Sequence, residues 1–194
     1  MLQVGITGGI GSGKTTVCKI FEILGIPVYY ADERAKWLMT NDLNIIKDIK
    51  NEFGATAYNE KGELNRQYIA EIAFHNPEKL QALNALVHPA VFEDGRNWHR
   101  TQQNVPYTLK EAALLFESGS YKELDKIIVV TAPLDVRIQR VMERDQISQE
   151  AVQARISKQM LEEEKINQAD YLIVNDGEQT LIAQVLIIHK SLMQ

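Results

Sequence analysis

The residues best suited to chemistry lie in one stretch near the start of the chain, GITGGIGSGKTT, from Gly5 to Thr16. Five glycines stand there, ahead of a helix-forming segment, although glycine loses more conformational freedom on folding than any other residue. Within the stretch, Gly8-Gly9-Ile10-Gly11-Ser12-Gly13-Lys14-Thr15 fits G-x-x-x-x-G-K-[ST] without a gap. Glycines let the backbone wrap so that successive N–H groups point inward at phosphate oxygens. A helix that starts at the end of the loop adds the partial positive charge of its N-terminus. Lys14 can then reach the β- and γ-phosphates, and the Thr15 hydroxyl can ligate Mg2+. The stretch reads as a cradle for nucleotide phosphates. The dinucleotide pattern G-x-G-x-x-G fails, because it would require glycine where Lys14 or Thr16 stands.

Phosphate binding alone leaves the reaction open between a GTPase switch, an ATPase and a small-molecule kinase. The chain contains no D-x-x-G tetrad, and NQAD (Asn167 to Asp170) puts Gln168 where a guanine-reading motif has lysine. A kinase needs a seat for the acceptor hydroxyl, a group to take its proton and cations to screen the moving phosphoryl. Asp32 closes the second expected strand, IPVYYAD. Ligands of open parallel sheets bind beyond the carboxyl ends of the strands, so this carboxylate is placed to accept a hydroxyl proton. Capping a helix that starts at Glu33 is its alternative role. Arg137, Arg140 and Arg144 are spaced by three and four, hence on one helical face, and Arg155 and Lys158 begin a comparable one. As a group they read as a lid over phosphates; singly, each fits a solvated surface paired with Glu143, Glu150 and Glu162.

The elements that must position these groups follow from the apolar pattern. Leu2 to Thr7 is a short apolar run ending at glycine, a buried strand. Val17, Ile20, Phe21 and Leu24 recur at helical spacing before Gly25, so a strand, a helix and a second strand form a parallel βαβ unit. From Glu33 to about Asn104 the texture is helical, with one stripe from Leu38 to Phe53, a turn at NEKGE, and helices at Arg66–His75, Pro77–Val87 and Pro89–Gln102. Pro77 and Pro89 suit first helical positions. Strands resume at YTLKEAALLFE (Tyr107 to Glu117), DKIIVVTA (Asp125 to Ala132) and YLIVN (Tyr171 to Asn175). Between them lie a helix at Leu134–Asp145 and a polar helix from Ser148, its cap, to about Lys165; a helix at Glu178–Leu192 closes the chain. The expectation is an α/β protein with a five-stranded parallel sheet, helices on both faces, a core of 1–32, 105–135 and 166–194, a helical insertion at about 33–104 and a lid at about 136–165.

Bulk properties agree with one such domain of 194 residues, 45% apolar and 24% charged. A net charge of −5 speaks against a nucleic-acid binder, whose affinity rests on clustered Lys and Arg. Cys18 is the sole cysteine; it excludes an internal disulfide and reads as a small core residue. MLQVGITGG has no export-signal pattern, and no apolar run approaches the roughly 20 residues of a membrane span; a cytoplasmic protein is expected, as a monomer or with a weak oligomer as the alternative. His75, His99 and His189 have no metal-like spacing.

With these residues in view, the chain resembles the dephospho-coenzyme A kinase family over nearly its whole length. GITGGIGSGKTT, VYYADERA, GELNRQYIAEIAFHNP, LNALVHPAV, ALLFESG, RIQRVMERD, ARISKQM and ADYLIVNDG carry the resemblance, in the family's order. It implies a three-layer P-loop NTPase fold and transfer of phosphoryl from ATP to the ribose 3′-hydroxyl of dephospho-CoA. It implies ATP phosphates on Gly11, Ser12, Gly13, Lys14, Thr15 and Thr16, and Mg2+ at Thr15. It implies Asp32 as the base, Arg66 and His88 in the dephospho-CoA site, Arg140 on the transferring phosphoryl, and Arg144 and Asn175 on the ATP side. By its residues alone, His88 before Pro89 could equally start a helix. Two positions depart from the family pattern: Asn65 stands where an aspartate precedes the arginine, and Ala113 where a proline opens the P-L-L-F-E segment.

Overall fold

The computed structural model describes residues 1–194, the side chain of Phe74 excepted. Internal contacts divide the chain into two compact units, Met1–Tyr30 with His99–Gln194, and Ala31–Trp98.

The first unit is built on β1 (Leu2–Thr7), α1 (Lys14–Ile23) and β2 (Val28–Tyr30). After the second unit the chain returns through β3 (Tyr107–Glu111), β4 (Lys126–Thr131), α6 (Leu134–Asp145), α7 (Gln149–Ile156), α8 (Glu162–Asn167), β5 (Tyr171–Val174) and α9 (Leu181–Leu192). The five strands are all parallel, in the order β2-β3-β1-β4-β5. β1 is central because alternate residues are apolar and it ends at the glycine loop. Val4 and Ile6 are fully buried with Val17, Cys18 and Phe21 of α1 and Val185, Ile188 and Leu192 of α9. On the opposite face Gly5 leaves room for Leu115 and Leu124, which a Cβ there would meet. Tyr107, also fully buried, packs edge-on against Phe21 and shares a 2.7 Å hydrogen bond between its hydroxyl and His189 Nδ1.

The second unit contains α2 (Ala31–Asn41), α3 (Leu43–Phe53), α4 (Arg66–His75) and most of α5 (Pro77–Thr101). Its apolar centre is Leu38, Ile45, Ile49, Phe53, Ile69, Val87 and Val91. Polar ties supplement it: Tyr58 Oη donates to the Met39 carbonyl at 2.6 Å, and Tyr68 Oη to the Phe53 carbonyl at 3.0 Å. Arg34 bonds Asp94 with two nitrogens at 2.8 and 2.6 Å.

Several boundaries differ from the sequence expectation. The second strand ends at Tyr30, and Asp32 lies in the first turn of α2 instead of closing the strand. The stripe from Leu38 to Phe53 is two helices, because Asp42 accepts hydrogen bonds from the Asn44 and Ile45 amides and caps α3. α5 runs through Pro89; the lost hydrogen bond is outweighed by helix formers on both sides and by burial of Val87 and Val91. β3 stops at Glu111, with turns following where a strand to Glu117 was expected. The polar helix after Ser148 is two helices, α7 and α8, with Ser148 capping α7 through the Ala151 amide. Among the described residues, no helix is long and apolar enough to cross a membrane.

Candidate active site

The glycine loop leaves β1 after Thr7 and ends in α1, whose first residue is Lys14. Positive backbone angles shape it: φ is +80° at Gly11 and +95° at Gly13. A Cβ at Gly11 would sit 2.5 Å from the Arg137 carbonyl oxygen, and one at Gly13 would collide with Asn175 Nδ2. Only glycine satisfies both constraints. Lys14 Nζ donates to the Gly8 carbonyl at 3.0 Å, which folds the ammonium back over the loop. The Gly9 carbonyl accepts from the Ser12 amide at 3.1 Å.

Asn175, just past β5, donates from Nδ2 to the Ser12 carbonyl at 2.8 Å. In a planar trans peptide the N–H points opposite to the C=O, so this bond turns the Gly13 amide to the other side. Arg140 Nη2 lies 3.3 Å from the Asn175 carbonyl oxygen. The structure thus brings the loop, Asn175 and Arg140 together. Arg144, one turn further along α6, is exposed and bonds Asp145 at 2.7 and 3.1 Å. With Arg155 at 2.6 Å on the same carboxylate, these bonds pull Asp145 down to about 2. Arg137 is buried and paired with Glu162; the three arginines of α6 therefore have three different surroundings.

Two polar atoms at the loop are buried without a hydrogen-bond partner, Thr7 Oγ1 and Ser12 Oγ, and Arg140 Nη1 is a third nearby. Unpaired buried polar groups are rare in folded proteins, and two hydroxyls and a guanidinium are donors suited to phosphate oxygens.

Glu111 is a residue that periodicity passed over. It is the last residue of β3, paired in register with Ile6 of β1 and Tyr30 of β2, and buried. Its charge is felt at α1: burial first, then the Glu111 and Glu22 carboxylates, push the Cys18 thiol far up, and Lys14 pulls it back. Glu111 follows Lys110 in YTLKE, and a second charged residue in a strand expected to run on to Glu117 carries no distinct signal. Glu111 and the Thr15 hydroxyl are hard oxygen donors. Among the described residues no three His, Cys, Asp or Glu cluster as a metal cage.

The remaining candidates belong to the helical unit. Asp32 is exposed, two residues beyond the last paired residue of β2. Arg66 is the exposed first residue of α4, whose cap is Asn65: its Oδ1 accepts from the Tyr68 amide at 3.2 Å. The departure at Asn65 therefore keeps a capping side chain. His88 is half-buried inside α5, stacked on Phe92 with centroids 6.1 Å apart, and burial lowers its pKa.

Comparison with known proteins agrees with this architecture. The family model described as Dephospho-CoA kinase matches residues 2–180. A dephospho-CoA kinase of Bacteroides fragilis is 38% identical over 185 residues, 95% of this chain and 90% of the relative. The crystal structure of a Thermus thermophilus protein superposes with a TM-score of 0.87 at 34% identity, covering 100% of this chain and 98% of the other. A dephospho-CoA kinase from Campylobacter jejuni superposes with a TM-score of 0.70 at 26% identity, covering 98% and 96%. With the unbroken phosphate loop at the centre of a matching sheet, the chain belongs to the dephospho-CoA kinase family.

Proposed function

We propose that the protein transfers the terminal phosphoryl group of ATP to the ribose 3′-hydroxyl of dephospho-CoA, giving CoA and ADP. The observation that carries this reading is the loop from Gly8 to Thr15, set between β1 and α1 with Lys14 folded over it. In this reading the amides of Gly11 to Thr16 and the start of α1 hold the phosphates. Lys14 and Arg140 offset the charge that builds on the phosphoryl oxygens. Mg2+, held by Thr15 and Glu111, would screen the β- and γ-phosphates. Arg144 and Asn175 serve the ATP side, and Asn175 does so in part by orienting the Gly13 amide. Arg66 and His88 bind the dephospho-CoA; burial keeps His88 neutral near pH 7, an imidazole that can accept as well as donate.

Asp32 accepts the 3′-hydroxyl proton as the new O–P bond forms and the bond to the β,γ-bridging oxygen breaks. The segment 136–165 acts as a lid that keeps water from competing as acceptor. The protein works as a monomer in the cytoplasm on two soluble substrates.

The test is an acceptor panel of nucleosides, nucleotides and dephospho-CoA with labelled ATP and Mg2+, read by mass spectrometry. Label on dephospho-CoA alone is the expected result. Label on another acceptor, or ATP hydrolysis with no phosphorylated product, would replace the proposed substrate or the reaction itself.

A further inference from the structure

The first half of the phosphate loop is held from outside the sheet. The peptide between Gly9 and Ile10 is tied at both ends: its N–H donates to Gln159 Oε1 at 2.9 Å, and its C=O accepts from the Ser12 amide at 3.1 Å. A planar peptide with both groups engaged cannot rotate without breaking one bond. Gln159 lies between α7 and α8, 149 residues away in sequence.

Arg137 braces the same half. Only 5% exposed, it bonds Glu162 of α8, and a Cβ on Gly9 would collide with its Nη1. Its own backbone lies against Gly11. The side chain of Ile10 packs against the cluster of Ile138 and Val141 of α6 and Val152 of α7.

The segment carrying Gln159 and Glu162 is itself pinned. Glu117 Oε1 accepts the Met160 amide at 2.8 Å and lies 3.0 Å from the ammonium of the fully buried Lys165. Partial desolvation raises the Glu117 carboxyl, but bonds from backbone amides and from the Lys165 ammonium outweigh it and hold it below its ordinary value. Two charge pairs, Arg137–Glu162 and Glu117–Lys165, thus secure both ends of α8. Neither belongs to a group the transfer reaction consumes.

We propose that Arg137 and Gln159 are positioning residues for ATP: the pinned segment from Gln159 to Lys165 sets the peptide plane at Gly9–Ile10, and through the Gly9–Ser12 bond it sets the amides that face the phosphates. This rests on the reading of the loop as an ATP cradle. Because the Ile10 N–H is spent on Gln159, it is not a phosphate ligand; its work is to keep the turn closed.

The experiment is ATP titration by calorimetry, alongside steady-state kinetics and a thermal melt, on the wild type, Gln159→Ala, Gln159→Glu and the double variant Arg137→Gln with Glu162→Gln. The double variant removes both charges of the pair together, since removing one alone would leave the other unpaired. Gln159→Ala is expected to weaken ATP binding and raise KM for ATP about three- to tenfold, the size of one hydrogen bond. Melting temperature and KM for dephospho-CoA stay at wild-type values, and Gln159→Glu, which keeps the accepting oxygen, recovers most of the loss. The double variant is expected to weaken ATP binding further. Wild-type ATP affinity in Gln159→Ala would overturn the proposal, as would an equal loss for both substrates that tracks a lower melting temperature. A wild-type protein that binds no ATP would sink the cradle reading as well, so the two failures are distinguishable.

Discussion

The sheet unit and the helical unit solve the same problem, ordering polar groups, with different means. In the sheet unit an apolar centre runs through the sheet and two helices, from Val4 and Ile6 to Phe21 and Val185, and buried polar residues include Thr7, Ser12, Glu111, Arg137 and Lys165, with Thr108 and Ser120 elsewhere. In the helical unit the centre is smaller, and the helices are tied by Tyr58, Tyr68, Arg34–Asp94 and Lys79–Glu52, the last at 2.7 Å. The first arrangement fixes donors rigidly where a phosphate would be held. The second leaves Asp32 and Arg66 exposed, as the proposed contact with a bulky acceptor requires.

The contrast is broken most strongly at the chemical groups. Lys14→Ala is expected to abolish turnover in a coupled ADP assay, while the melting temperature stays close to wild type. Asp32→Asn, in the other unit, is expected to leave ATP affinity unchanged and to cut kcat by ~10²–10⁴-fold, the range for a lost general base; a large loss of ATP affinity with normal kcat would instead make Asp32 a structural or metal residue.

Stability should separate the units next. Phe21→Ala, in the fully buried sheet core, is expected to cost ~3–5 kcal/mol in chemical denaturation. Arg34→Ala removes a pair whose arginine side chain is 36% exposed, so after screening its expected cost is only about 1 kcal/mol.

Acid should act in two windows. Burial lowers the His88 pKa from its usual 6.5, so the unfolded chain takes up that proton first, and stability is lost as pH falls below 6.5. Asp145 falls from 3.8 to about 2 under Arg144 and Arg155; its contribution is complete above 3.8 and is lost as pH drops through about 2. Both signs point to weakening in acid, and His99 of the sheet unit, lowered by burial and by the N-terminal ammonium, adds to the same upper window as His88. Hydrogen exchange at pH 7, 5 and 3 would check this, and His88→Gln should flatten the first window. The smallest effect belongs to Asn65→Asp, which restores the family's residue with an equally good cap, so ~0.5 kcal/mol or less is expected. A larger gain in activity than in stability would show that the carboxylate orients Arg66.

Much of this was legible in the residues because the relevant interactions are local. The loop follows one strand and opens one helix, so glycine spacing, Lys14 and Thr15 identify it without knowledge of the rest. The Asp42 cap, by contrast, lies within an apolar stripe that does not break in period, and only the bonded Asn44 and Ile45 amides reveal the helix start. Pro89 misled for the opposite reason, since a strong local stop was overridden by a long helix with buried valines on either side of it. Glu111 was hidden because it follows Lys110 in a strand of mixed polarity, where a carboxylate reads as an ordinary solvent-facing position. Its burial beside β1 and β2 is a property of sheet order.

The amino-acid sequence by itself determined the cradle, the parallel α/β class and the family, because each is encoded in short-range spacing and in motifs kept in order along the chain. Tertiary structure alone decided which distant side chains hold that cradle in shape: Asn175 on Ser12, Gln159 on Ile10, and Arg137 beneath Gly9 with Glu162. These contacts join residues far apart in sequence, and no periodicity encodes them. They exist only because parallel strands bring their carboxyl ends to one edge, where the segments that follow must pack against each other.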